Sequence, residues 1–220
     1  LTDTTLTVAT LNTLIGYTAG LVDATTVTTL TGSTADVNTA FTAFADGKVT
    51  GLGNEAVILT DKAVFAETVV AIDNATSGAI NATNVTTLTG SASNVNSALT
   101  SAGITNLDGD EAVTLSDTTL AAATLNTLDG NTTGAVDATT VTTLTGSAAN
   151  MNTAYASMGI SNLANEAVRL DDASLAAATL NMLDDNTTGA IDAATVTTLT
   201  GSAANVNTAY ASGGVTNLGD

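Results

Sequence analysis

Apolar residues along this chain recur in two alternating rhythms. In 111–116, Val113 and Leu115 alternate with polar neighbours, the pattern of a short half-buried strand. Asp117, a good N-cap residue, is followed by a segment where Ala121, Leu125 and Leu128 fall at helical spacing, with three alanines favouring helix. This helix is expected to end near Gly130. The matching positions hold Gly16, Asn74 and Asp185, residue types that tolerate the left-handed conformation of a helix terminus. Residues 134–138 read as a second short strand. Ser147 then caps a helix with Ala148, Met151, Ala154 and Tyr155 on one face, closed by Gly159. Between these elements lies Val141-Thr-Thr-Leu144. Its Thr and Val content favours strand, but its apolar pair is spaced i, i+3, which favours one or two helical turns.

The same order of elements occurs four times. The string Val-Thr-Thr-Leu-Thr-Gly-Ser begins at 27, 85, 141 and 196 without a change, at spacings of 58, 56 and 55 residues. A period of this length marks supersecondary units that bury their apolar faces only against one another. Phased on Leu1, Leu59, Leu115 and Leu170, the copies run 1–58, 59–114, 115–169 and a truncated 170–220. The predicted fold is α/β: a parallel solenoid of four strand–helix–strand–helix repeats of about 55 residues. An all-α solenoid is the alternative. Length variation falls only between Asn38, Asn96 or Asn152 and the next Glu-Ala-Val, at 55–57, 111–113 and 166–168. This places it on one loop face, over 42–54, 100–110 and 156–165. The chain starts in mid-pattern with Leu and stops where a fifth Glu-Ala-Val is expected, so it reads as a segment of a longer array.

Composition narrows the function. The chain carries three basic and 21 acidic residues, a formal charge of −18, and no His, Cys, Pro or Trp. So acidic a chain lacks the basic footprint for nucleic acid. No segment approaches the roughly 18 apolar residues of a membrane span. Without His or Cys no activated nucleophile is recognisable, and the chain reads as a non-enzyme without cofactor. The acidic pairs Asp108 with Asp110, and Asp184 with Asp185, read as loop carboxylates that could hold calcium, a cation that takes hard oxygen ligands. The recurring Asp3, Asp61, Asp117 and Asp172 read as helix caps rather than ligands. Asn38, Asn96, Asn152 and Asn207 read as an internal ladder bonding neighbouring backbone, beside a second ladder, Asn12, Asn126 and Asn181, broken by Val70.

The strings Leu-Asn-Thr-Leu-Asp-Gly-Asn-Thr-Thr-Gly (125–134) and Gly-Ser-Ala-Ala-Asn-Val-Asn-Thr-Ala-Tyr-Ala-Ser (201–212) resemble the repeats of giant secreted and cell-surface proteins of marine bacteria, the cyanobacterial swimming-motility type among them. Leu-Asn-x-Leu-Asp-Gly is also similar to a phage tail-fibre motif. Both resemblances imply extended extracellular architecture and carry over no site residue. The expected function is a structural spacer, stalk or filament segment, outside the cell or on its surface. Its expected partners are further repeats of the same chain and like chains in a filament or surface layer. The alternative is an adhesive module that binds through the variable loop face.

Overall fold

The computed structural model describes residues 1–219. It is α/β, with eight helices alternating with nineteen short strands among those residues. The chain divides into two compact units, 1–112 and 113–220.

In the first unit the helices are α1 (Val8–Tyr17), α2 (Thr34–Ala45), α3 (Ala66–Ala75) and α4 (Ala92–Thr100), and consecutive helices pack together. A five-stranded sheet runs in the order Thr5–Thr7, Thr29–Gly32, Ala56–Leu59, Ile80–Asn81, Ile104–Thr105. Every pairing in it is parallel, at Thr5↔Thr29, Thr29↔Ala56, Val57↔Ile80 and Ile80↔Ile104. Each strand therefore bonds to a strand about half a copy further along, and each half-copy step carries one helix.

The second unit is built the same way. Its helices are α5 (Ala122–Asn131), α6 (Ala148–Ala156), α7 (Ala177–Asn186) and α8 (Ala203–Ala211). Its five-stranded sheet runs Thr119–Ala121, Thr143–Gly146, Ala167–Leu170, Ile191–Asp192, Val215–Thr216. The parallel register is Thr119↔Thr143, Thr143↔Ala167, Val168↔Ile191 and Ile191↔Val215. The half-copy step is thus nearly constant, although the copies themselves differ in length.

The core is a thin aliphatic seam. Leu11, Val69, Leu125 and Leu180 occupy one repeat position and are all buried, as are Val57, Val113 and Val168 at another. Helix caps complete the frame. Ser33, Ser91, Ser147 and Ser202 accept the backbone N–H three residues on, at 3.1–3.3 Å, as the sequence predicts.

Three local expectations are corrected. The shared string is strand, not helix, at Thr29–Gly32, Thr87–Gly90, Thr143–Gly146 and Thr198–Thr200. Its i, i+3 apolar spacing comes from a tight turn before the strand, closed by Val141 N–H to the Ala138 carbonyl at 2.9 Å. Val141 and Leu144 thus both reach the core without a helix. Next, α5 starts at Ala122 because Thr119–Ala121 is first consumed by sheet pairing. Finally, Gly16, Asn74, Gly130 and Asp185 lie inside the last helical turns, and their helices leave through extended Thr residues. The non-glycine residues with positive φ are Asn106, Asn162 and Asn217, among the described residues.

Candidate functional site

The most unusual polar groups are three buried carboxylates immediately after the segment of variable length. Glu55, Glu111 and Glu166 are 0%, 2% and 2% exposed. Each is two residues before a buried Val and four before a buried Leu, so strand alternation turns its side chain inward. There it accepts amides of its own loop. Glu55 takes Gly53 N–H at 2.7 Å and Asn54 N–H at 3.2 Å. Glu111 takes Asp108 N–H at 2.9 Å and Gly109 N–H at 3.1 Å, and Glu166 takes Ala164 N–H at 3.0 Å. Each carboxylate so ties down the loop before it, although at Glu55 only Oε2 accepts, and Oε1 is buried without a partner among the described residues. Around Glu166 the Tyr155 hydroxyl adds a further donor at 3.2 Å. Burial, with the neighbouring carboxylate adding to it, pushes the Tyr155 phenol up to about 12 against an opposing hydrogen bond from Thr187.

Close backbone approach fixes this site. A Cβ on Gly78 would lie 2.1 Å from the Glu55 carbonyl oxygen, and one on Gly189 would lie 1.9 Å from that of Glu166. The left-handed Asn106 and Asn162 lie in the loops of Glu111 and Glu166, and Asn217 takes the equivalent place after α8. Asn162 donates to Asp137 at 2.7 Å and Asn217 to Asp192 at 2.9 Å. Asp137 is held below the usual carboxylate range by the Thr139 hydroxyl first, then by Asn162; Asp192 is lowered chiefly by Asn217.

Of the four calcium candidates, Asp108 and Asp110 are exposed in the loop before Glu111. Asp184 and Asp185 are not loop residues, because α7 continues through Asn186. Asp184 accepts the Ser212 hydroxyl at 2.7 Å, repeating Asp73 with Ser101 at 2.6 Å and Asp129 with Ser157 at 2.7 Å. Asp185 is exposed. Among the described residues no three His, Cys, Asp or Glu side chains converge as a metal would need.

Two of the recurring Asp residues, Asp61 and Asp172, cap helices, but not their own. Asp61 Oδ2 accepts Thr34 N–H at 2.6 Å and the Thr34 hydroxyl at 3.0 Å, and Asp172 Oδ2 accepts Ala148 N–H at 2.8 Å. Each thus caps the preceding helix, α2 or α6, while α3 and α7 start without a side-chain cap. The ladder of Asn12, Asn126 and Asn181 crosses between half-copies: Asn12 donates to the Asp36 carbonyl at 3.0 Å, Asn126 to Asn150 at 2.9 Å and Asn181 to Asn205 at 3.1 Å. The other expected ladder is not internal throughout: Asn38 and Asn207 lie on the solvent side of their helices and are exposed, whereas Asn152 is buried and donates to the Thr179 carbonyl at 3.1 Å. Threonine does the same from the shared string, where Thr28, Thr86, Thr142 and Thr197 donate to carbonyls 24 residues earlier.

No family model, no curated protein and no solved structure matches the chain. Among the described residues no helix is long and apolar enough to cross a membrane.

Proposed function

We propose that this chain is a structural segment, a spacer, stalk or filament element of a large extracellular or cell-surface protein, without catalytic chemistry of its own. In this reading the four copies continue the half-copy step of each unit as one parallel α/β solenoid. The observation that carries it is where the repeated polar groups go. Asp, Asn and Thr at fixed repeat positions spend their hydrogen bonds on the backbone of the neighbouring half-copy. Such contacts reward stacking and extension. The acidic composition supports an exterior setting, where salt screens self-repulsion and net charge maintains solubility.

Strands in a sheet are spaced by about 4.7–4.9 Å. Two steps per copy therefore add about 10 Å of length. Small-angle scattering on this chain, and on a version with 59–169 duplicated, tests the role. The maximum dimension should grow by about 10 Å for each added copy. An unchanged maximum dimension rules out the spacer reading.

A further inference from the structure

Five of the seven residues in the invariant string have a structural task. In the first copy Val27 and Leu30 are buried, and the Thr28 hydroxyl donates to the Thr4 carbonyl at 3.0 Å. Ser33 caps α2, and Gly32 lies where a Cβ would meet Val8 at 3.3 Å. Thr29 and Thr31 remain. They flank the buried Leu30 in a strand, so both point away from the core and are partly exposed. Their hydroxyls make no hydrogen bond among the described residues, and the same holds for Thr87, Thr89, Thr143 and Thr145. Strand propensity accounts for threonine here, but Val or Ile would serve it equally.

The parallel register sets these threonines in a lattice. Alternate residues of a strand lie about 6.4–6.8 Å apart, and neighbouring strands follow at about 4.7–4.9 Å. In the first unit Thr5 pairs with Thr29 and Thr7 with Thr31, which makes a two-by-two block. In the second unit Thr143 and Thr145 lie beside Thr119 and Ala121, and Thr198 and Thr200 beside Ser174 and Ala176. The neighbours change from copy to copy, with Thr7, Phe65, Ala121 and Ala176 at one position, while the two threonines do not. Among the outward neighbours in the described pairings Arg169 is the one charged residue, and Ile58 and Phe65 are the large apolar ones. In a chain of charge −18, this is a flat face of hydroxyl and methyl groups.

We propose that this threonine face adsorbs to ice. Each outward hydroxyl is free both to donate to and to accept from a water network. A charged face would have to shed its hydration against a crystal, which is costly, and this face has little charge to desolvate. Oxygen rows on a prism face of ice repeat slightly more closely than the strands and slightly more widely than alternate residues. A small block therefore stays in step with the crystal where a long row would drift. The sheet holds the hydroxyls in place before contact, which spares the cost of ordering them. This inference is independent of the structural role proposed for the array.

The test is ice recrystallisation in the presence of the intact chain, read as grain size after annealing, against an acidic globular protein of similar charge. The chain should arrest grain growth at concentrations where the comparison protein does not, and single crystals grown with it should be faceted. Thr29→Lys, Thr87→Lys, Thr143→Lys and Thr198→Lys together put one long charged side chain on the face in each copy. They should abolish the arrest while circular dichroism stays unchanged. Phe65→Thr, which places a threonine beside Thr89, should lower the concentration needed, and this holds whether or not the lysine variant folds. The proposal is overturned by grain growth as fast as with the comparison protein, by undiminished arrest in a folded lysine variant, or by arrest that Phe65→Thr leaves unchanged or weakens.

Discussion

Substitution of Asp61 by Ala separates two ways of reading the same residue. By its place in the sequence Asp61 precedes α3 and would cap it. In the structure its Oδ2 serves Thr34, the first residue of α2, through both the amide and the hydroxyl. Thr34 is only 8% exposed, so these two donors would lose their partner in a largely dry place. A hydrogen bond to a charged acceptor contributes about 1.5–3 kcal/mol, and loss of an ordinary N-cap costs about 0.5–2 kcal/mol. A carboxylate at a helix N-terminus adds about 0.3–1 kcal/mol through the helix dipole. These overlap rather than add, and a net cost of about 2 kcal/mol is expected. That corresponds to about a 30-fold increase in local opening. Amide hydrogen exchange reads it directly: Asp61→Ala should lower protection of Thr34 and the first turn of α2 by about 30-fold, with residues 66–69 of α3 changed far less. Asp61→Asn, which keeps an acceptor oxygen, should recover part of the loss. If protection fell at 66–69 while Thr34 was unchanged, capping between half-copies would be refuted.

Two glycine substitutions should move stability in opposite directions. Gly189→Ala forces a Cβ to within 1.9 Å of the Glu166 carbonyl oxygen and should lower the urea midpoint by the equivalent of about 1–3 kcal/mol. Gly130→Ala, inside α5 with nothing within 4 Å of the new methyl, should stabilise by about 0.5–1 kcal/mol. The Tyr155 phenol titrates near 12 in the folded chain, above its ordinary value near 10. Because the folded value is raised, its stabilising contribution is whole below about pH 10 and is lost as pH rises toward 12. An ultraviolet difference titration of the wild type against Tyr155→Phe should show this late phenol, and a midpoint near 10 would contradict the buried setting beside Glu166.

Much of this architecture was written in positions that could be aligned by counting. Ser147 and its equivalents precede alanine-rich helical faces and cap them, and Val113 with Leu115 alternates into the core. These features depend on local geometry, which one copy contains in full. What escaped depends on the neighbouring half-copy. The i, i+3 spacing of Val141 and Leu144 imitates a helix because a turn and a strand together place both residues inward. Asp61 stands before one helix in sequence and against another in space. The Glu of Glu-Ala-Val did leave a signal. It shares the parity of the buried residues Val57 and Leu59, so alternation alone predicts an inward carboxylate. The first copy's departure also had a trace, since Ile15 and Ala43 stand where the other three copies keep an Asp–Ser pair, but only the packing of α1 on α2 brings these positions together.

Each unit is built by a strand meeting its partner half a copy later, in parallel and in fixed register. The chain has no native cysteine, so a cysteine pair reads that register without interference. Thr119 pairs with Thr143. Strands about 4.7–4.9 Å apart lie within the Cα separation of about 4.4–6.8 Å that a disulfide accepts. Under mild oxidation, Thr119→Cys with Thr143→Cys should form an intramolecular disulfide with the fold retained, while Thr119→Cys with Thr145→Cys, two residues out of register, should stay reduced. Free thiols in the first pair together with a disulfide in the second would contradict the half-copy step on which the whole array depends.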